Sequence, residues 1–257
     1  MERLKLIVTD LDGTLLHDDK TLDPKIKQVL QEKQIGITFV SGRNVHIIQE
    51  YLEELNITLP YITNNGANIF LGKKCIYECS IDAQELEYCL TTLQAKNVAY
   101  LAYTNERIYC FGNQPGLEKF KTRLIGKCEM IDDFELADLL QTPIFKVVMI
   151  HEDMEKIQEI LNAHCKQSVC MRSEGNIFTL TNINSTKGKT LLKLLEYLNI
   201  RPDEVLAFGD NYNDIPMFEV VDGVAVENAQ EGLKKVAKYH TKSNEENGVS
   251  YFIEHNL

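Results

Sequence analysis

The segment Leu6-Ile7-Val8-Thr9-Asp10-Leu11-Asp12-Gly13-Thr14-Leu15 constrains this chain more than any other. Its uninterrupted apolar run predicts a strand buried on both faces, as in a parallel sheet. Two aspartates spaced D-x-D follow at the carboxyl end of that strand. Crowding two carboxylates there is unfavourable unless a cation lies between them. The Gly13-Thr14 pair turns the chain sharply and offers backbone N–H groups to an anion. A hard cation beside an anion pocket, with a carboxylate able to attack, is the equipment of phosphoryl transfer through an aspartyl-phosphate.

The segments that follow alternate helix and strand. A helix is expected near 24–34, introduced by Asp23-Pro24 as N-cap and first-turn proline. A second strand at 35–40 ends in Ser41-Gly42-Arg43, a helix covers 44–55, and a third strand at 59–63 ends in Asn64-Asn65-Gly66. This βαβαβ order predicts a doubly wound parallel sheet. From Ala67 the pattern changes. A hairpin at 67–70 and 75–79 precedes a helix near 82–96, strands near 98–103 and 107–111, and a helix near 115–124. A strand at 144–150, a helix at 153–165 and paired strands near 168–173 and 177–181 come next, which predicts an antiparallel or mixed sheet. The first pattern returns at Ser185. A helix starts near Thr186-Lys187-Gly188, and a strand at 205–208 ends in Gly209-Asp210-Asn211-Tyr212-Asn213-Asp214. A short strand at 224–226 and helices near 229–237 and at the C-terminus complete the chain. The expected fold class is α/β. A doubly wound, Rossmann-like parallel-sheet core spans 1–80 and 185–257, and an inserted α/β cap domain spans 81–184, with hinges near 79–83 and 181–186.

Four polar clusters thus fall outside the carboxyl ends of core strands, where doubly wound sheets bind ligands. They are Asp10/Asp12, Ser41/Gly42, Asn64/Asn65 and Asp210/Asp214. Lys187 adds a helix start, where backbone N–H groups also face an anion. A phosphate monoester is a dianion, and an attacking carboxylate is a second anion, so positive charge must bring them together. Mg2+ supplies most of it, with Asp10 and Asp210 as side-chain ligands and the Asp12 carbonyl as a third. Lys187 supplies more charge to the phosphoryl oxygens. Ser41 donates a hydroxyl hydrogen bond, and Gly42 lets the backbone approach. Asp10 is the expected nucleophile. Asp12 is the expected acid towards the leaving alkoxide and then the base towards water, which requires its pKa to be raised in the complex. Asp214 holds Lys187 or a metal-bound water, Asn213 can donate to phosphate, and Thr14 supports the turn. Asn65 is a candidate substrate contact. Arg43 either reaches the substrate or pairs with an acid.

The motifs Asp10-Leu11-Asp12-Gly13-Thr14-Leu15, Ser41-Gly42-Arg43, Lys187-Gly188 and Gly209-Asp210-Asn211-Tyr212-Asn213-Asp214 resemble, in this order, those of the haloacid dehalogenase-like phosphatases. Asn65-Gly66-Ala67 and the large insertion after it are similar to the Cof-type subfamily, whose α/β cap lies between the second and third motifs. The resemblance implies a magnesium-dependent phosphatase working through an aspartyl-phosphate. It implies Asp10, Asp12 and Asp210 as metal ligands, and the Leu11 backbone, Ser41, Gly42, Lys187 and Asn213 as phosphate contacts. It also implies a small phosphorylated metabolite as substrate, such as a sugar phosphate, a nucleotide, or a flavin or pyridoxal phosphate. The sequence departs slightly from the family pattern, with Ser41 where threonine is commoner and Asn64 as an added amide.

Composition closes other routes. With an apolar fraction of 44% and a charged fraction of 25% this is an ordinary globular chain, and a net charge of −11 disfavours nucleic acid or an anionic membrane as partner. No apolar run reaches bilayer length and no signal peptide is visible, so the chain reads as cytoplasmic. Its seven cysteines form no C-x-x-C and match no zinc framework. Gly188-Lys189-Thr190 imitates the tail of a nucleotide-binding P-loop, but Ile183 stands where the first glycine belongs. Two rivals use similar groups. A phosphomutase would return the phosphoryl group to a sugar, and a phospho-acceptor regulator would keep it. The regulator class lacks both the second aspartate and the insertion.

Overall fold

The opening apolar run is strand β1, Leu6–Thr9, with all four residues buried, in the computed structural model, which describes residues 4–112, 118 and 128–257. There follow α1 (Ile26–Lys33), β2 (Gly36–Phe39), α2 (Val45–Glu54), β3 (Tyr61–Thr63), β4 (Asn68–Leu71) and β5 (Lys74–Glu78). Next come α3 (Ala83–Ala95), β6 (Ala99–Tyr103), β7 (Arg107–Phe111), β8 (Glu129–Ile131), α4 (Leu136–Leu139), β9 (Lys146–Ile150), α5 (Met154–His164), β10 (Ser168–Glu174) and β11 (Ile177–Asn182). The chain ends with α6 (Lys187–Leu198), β12 (Val205–Gly209), α7 (Ile215–Phe218), β13 (Asp222–Ala225), α8 (Glu231–Val236), β14 (Tyr239–His240) and α9 (Gly248–Asn256). The helix expected near 115–124 lies outside the described residues. The described chain divides into two compact units. One comprises Met1–Arg43, Ile48–Tyr77 and Thr186–Leu257, and the other Asn44–Ile47 and Glu78–Ser185.

In the first unit a parallel sheet runs in the order β14-β13-β12-β1-β2. Strand β1 sits between its two partners in register, with Leu6 opposite both Gly36 and Val205. Leu6 and Val8 join Leu191, Leu194 and Leu195 in one apolar cluster on one side of this sheet. On β12, Phe208 meets Phe252 of α9 edge-on, with ring centroids 5.7 Å apart. Helices therefore cover both faces, which is why β1 needs no polar alternation. Strand β3 departs from the sequence expectation. It touches the parallel sheet at a single bridge, Val40 to Ile62, and forms its ladder antiparallel with β4. Asn64 and Asn65, both at positive φ (51° and 57°), hook the chain back on itself there.

Helix α6 begins where Thr186 caps it, its hydroxyl accepting from Lys189 N–H at 3.2 Å. It ends at Asn199, a left-handed residue with φ 53°. Leu191, Leu194 and Leu195 fall at i, i+3 and i+4 and are buried. Gly188 allows the backbone of Pro216 to lie against the helix, since a Cβ there would be 1.9 Å from the Pro216 carbonyl oxygen.

The second unit holds a six-stranded sheet in the order β10-β11-β9-β6-β7-β8. Its ladders are antiparallel except β7 with β8. Leu86, Leu90 and Leu93 of α3 and Ile157 and Leu161 of α5 pack on Tyr100, Ala102, Val147 and Met149. Alternate residues Ala99, Leu101 and Tyr103 belong to a separate cluster with Ile108 and Val148, as the two-residue period of a strand requires.

Candidate active site

The site grows from the carboxyl ends of β1 and β12. Asp10 N–H donates to the Phe208 carbonyl at 3.0 Å, carrying the pairing of these strands one residue further. The Leu11 carbonyl then accepts from Thr14, Leu15 and Leu16, which winds the turn after the aspartates. Gly13, at φ +74°, lies so close to Asp210 that a Cβ would be 2.6 Å from its Oδ2. Both the backbone angle and the contact require glycine. Thr14 adds a hydrogen bond from its hydroxyl to Asp210 Oδ1 at 3.0 Å.

Lys187, the first residue of α6, has a fully buried side chain between two acids. Its Nζ is 2.8 Å from Asp10 Oδ1 and 2.5 Å from Asp214 Oδ1. The other Asp214 oxygen accepts from the N–H groups of Asp210 and Asn211, each at 3.0 Å. The start of α6 is fixed from a third direction, because Thr190 Oγ1 donates to the Gly66 carbonyl at 2.6 Å. Gly66 itself sits at φ +98° with no room for a Cβ against Thr186.

The charges do not balance. Oxygens of Asp10, Asp210 and Asp214 lie within 4.8 Å of one another, with one lysine among them. Burial pushes the Asp10 carboxyl up to about 7, the Asp214 and Asp210 charges add to the rise, and Lys187 opposes it. Burial and the Asp214 charge push Asp210 up to about 6. Burial alone would lower the pKa of Lys187, but Asp10 and Asp214 outweigh it and hold the ammonium charged. Hard oxygen donors with surplus negative charge fit a hard divalent cation, which would lower both raised pKa values. Asp10, Asp210 and Asp214 are the side chains placed to hold one.

The Asp12 side chain stands apart from this group, as its expected role through the backbone carbonyl allows. Arg43 donates to both its oxygens, from Nε at 2.6 Å and Nη2 at 2.7 Å, and Lys20 Nζ lies 2.9 Å from Oδ1. Burial would raise the pKa of Asp12, but Arg43 and Lys20 overcome it and hold the carboxyl at about 2. The raised pKa expected of it in the complex is therefore not a property of this arrangement. Of the two roles open to Arg43, this arrangement shows the pairing with an acid. Its Nη1 also donates to the Tyr51 hydroxyl at 3.2 Å.

The remaining candidates form a chain of contacts. The buried Ser41 accepts from Arg43 N–H at 3.1 Å, and its own hydroxyl hydrogen is left to donate. Gly42 lies against Asn65, where a Cβ would be 2.8 Å from Oδ1. Asn213 Nδ2 donates to that same Asn65 oxygen at 2.9 Å. Asn64 is buried and donates to Asn68 Oδ1 at 3.0 Å. Sequence reasoning passed over Lys20, and it set Asp214 against Lys187 or a metal-bound water without counting it among the carboxylates able to hold the ion. The four-residue spacing of Asp210 and Asp214 across a turn was the available signal for Asp214. Nothing comparable marks Lys20, which reaches Asp12 from a turn at φ 72°.

A family model described as haloacid dehalogenase-like hydrolase matches residues 7–253. The 5-amino-6-(5-phospho-D-ribitylamino)uracil phosphatase YwtE of Bacillus subtilis (strain 168) is 28% identical over 280 aligned positions, covering 98% of this chain and 97% of that protein. A haloacid dehalogenase-like hydrolase from Bacteroides thetaiotaomicron superposes with a TM-score of 0.87 at 26% identity, covering 99% of this chain and 100% of the other. The protein TM0651 from Thermotoga maritima superposes with a TM-score of 0.86 at 26% identity, with 99% and 98% covered.

Proposed function

From the premise that this chain belongs to the haloacid dehalogenase-like hydrolases, in their Cof-type branch, and is a phosphatase, we propose that it hydrolyses small phosphate monoesters with Mg2+ and with Asp10 as nucleophile. The observation that carries this reading is the convergence of Asp10, Asp210 and Asp214 around Lys187 at the ends of two adjacent strands. The Bacillus relative is named for a substrate with a 5-phospho-D-ribityl group, which supports a phosphorylated metabolite of modest size. Sugar phosphates, nucleotides, and flavin or pyridoxal phosphates fall in that class. The second unit is read as the cap, and residues 81–184 as the insertion that forms it. The seven thiols, none in a disulfide, suit the reducing cytoplasm this reading implies.

When bound, Mg2+ draws the phosphate dianion and a carboxylate together and offsets charge as it builds on phosphorus. The protein's own residues do the rest. Asp10 attacks with one carboxylate oxygen, forming a bond to phosphorus as the bond to the ester oxygen breaks. Lys187 stays charged beside the attacking group and stabilises the phosphoryl oxygens. Ser41 donates its hydroxyl hydrogen, and the Leu11 and Gly42 backbone and Asn213 amide orient the phosphate. Asp12, ionised while Arg43 holds it, leaves Arg43 and takes up a proton from solvent as the substrate binds. It gives that proton to the departing alkoxide, then takes one from the water that cleaves the aspartyl-phosphate. Inorganic phosphate leaves and Asp10 is restored.

The test is phosphate release from p-nitrophenyl phosphate, with and without EDTA. We expect turnover that EDTA abolishes and Mg2+ restores. Asp10→Asn is expected to lower kcat by roughly 10^4-fold or more, the scale for loss of a nucleophile in a hydrolase. Full activity in chelator, or in Asp10→Asn, would overturn the reading.

A further inference from the structure

We infer that Asn228 is a positioning residue for the divalent-cation site, holding the Gly13 turn in place beneath the Asp210 carboxylate; this rests on the metal reading above. Asn228 lies in the loop between β13 and α8. Its Nδ2 donates to the Gly13 carbonyl at 2.7 Å. Its Oδ1 accepts from the Asn244 N–H at 3.0 Å, which fixes which way the amide faces. Asn244, itself buried, donates from Nδ2 to the Leu16 carbonyl at 3.0 Å. Two residues beyond Asn228, the Gln230 N–H donates to the Asp210 carbonyl at 2.7 Å.

One short loop therefore grips a backbone carbonyl on each of the two segments that meet at the site. The grip on Gly13 bears directly on Asp210. The Gly13 backbone lies against the Asp210 carboxylate with no room for a Cβ, and the next residue, Thr14, donates to that carboxylate. A small shift of the turn would move the surface on which the Asp210 oxygens rest. Groups that orient a ligand without touching the ion commonly change metal affinity about 10–100-fold when removed.

The experiment titrates Mg2+ alone into the purified full chain by calorimetry, without substrate. Asn228→Asp keeps the shape and the acceptor for Asn244 but loses the donor to Gly13. Asn228→Ala removes both contacts from an exposed position, so it keeps the test sound should the aspartate variant not fold. Both variants are expected to bind Mg2+ about tenfold more weakly, while their thermal midpoints without metal stay near that of the parent. At saturating Mg2+ the KM for p-nitrophenyl phosphate is expected to stay within about twofold of the parent, as for a group that touches no substrate. Parental Mg2+ affinity in Asn228→Ala, beside a parent that binds, overturns this inference alone. A parent that binds no Mg2+ overturns the metal reading and this inference with it.

Discussion

The Arg43 guanidinium clasps both oxygens of Asp12, at 2.6 and 2.7 Å, and so keeps the proposed acid ionised and away from the other carboxylates. The Arg43→Gln variant loses both charge-assisted bonds while Lys20 remains. Its Asp12 carboxyl is expected to titrate above the parent's value of about 2 and nearer the ordinary 3.8. Carboxyl carbon NMR across that range reads it. An unchanged Asp12 titration would mean that the guanidinium does not govern this group.

Lys187 is a buried cation between Asp10 and Asp214. Removing one partner from a buried ion pair leaves charge uncompensated, which commonly costs about 3 kcal/mol or more. Lys187→Met should lose about that much stability in EDTA, measured by urea denaturation. Millimolar Mg2+ should recover part of it, because an ion that binds only the folded state stabilises it. A variant as stable as the parent in EDTA would contradict the electrostatic account of the cluster.

Stability should depend on pH through the same carboxylates. Asp10 is raised to about 7 and Asp210 to about 6 from 3.8, so the folded protein holds these protons more tightly than the unfolded chain. Their contribution is full below pH 3.8 and is lost as pH rises through about 6 and 7. Asp12 acts oppositely. Its contribution is present above 3.8 and is lost only as pH falls towards 2. Between pH 4.5 and 7.5 the raised groups therefore dominate among these three. Asp10→Asn removes one of them, so its stability relative to the parent in EDTA should grow across that range by more than about 1 kcal/mol. A difference independent of pH would contradict this.

Gly188 lies inside a helix, where alanine would ordinarily add about 1 kcal/mol. Here the added Cβ would be 1.9 Å from the Pro216 carbonyl oxygen, a backbone atom that no rotamer change can move. Overpacking of this kind costs about 1–3 kcal/mol, and the closeness of the contact puts it at the upper end. Gly188→Ala should therefore lose about 2 kcal/mol net, seen as a lower urea midpoint. A stabilised variant would show that α6 and α7 pack less closely.

Much of the core was legible because buried parallel strands leave continuous apolar runs, and polar residues at their carboxyl ends mark the ligand edge. Leu6–Thr9 and Val205–Gly209 both read that way, and the i, i+3, i+4 leucines of α6 gave the helix between them. The third strand was misread in its pairing. Three residues carry little periodicity, and the two positive-φ asparagines that turn it towards β4 are visible only as a polar pair. The D-x-D spacing suggested two aspartate side chains acting together. It could not show that Arg43, thirty-one positions later, draws one of them aside. Asn228 left no trace at all, since a single asparagine in a loop has no period and its side-chain partners, Gly13 and Asn244, come from two separate segments.

The central claim is that Asp10 and Asp210 share one divalent ion. Crystals grown with Mn2+ in place of Mg2+ would locate it by anomalous scattering. The account predicts a single strong peak within about 2.3 Å of oxygens from both Asp10 and Asp210, with Lys187 still against Asp214. A peak bound to only one of them, or none between them at saturating Mn2+, would contradict it.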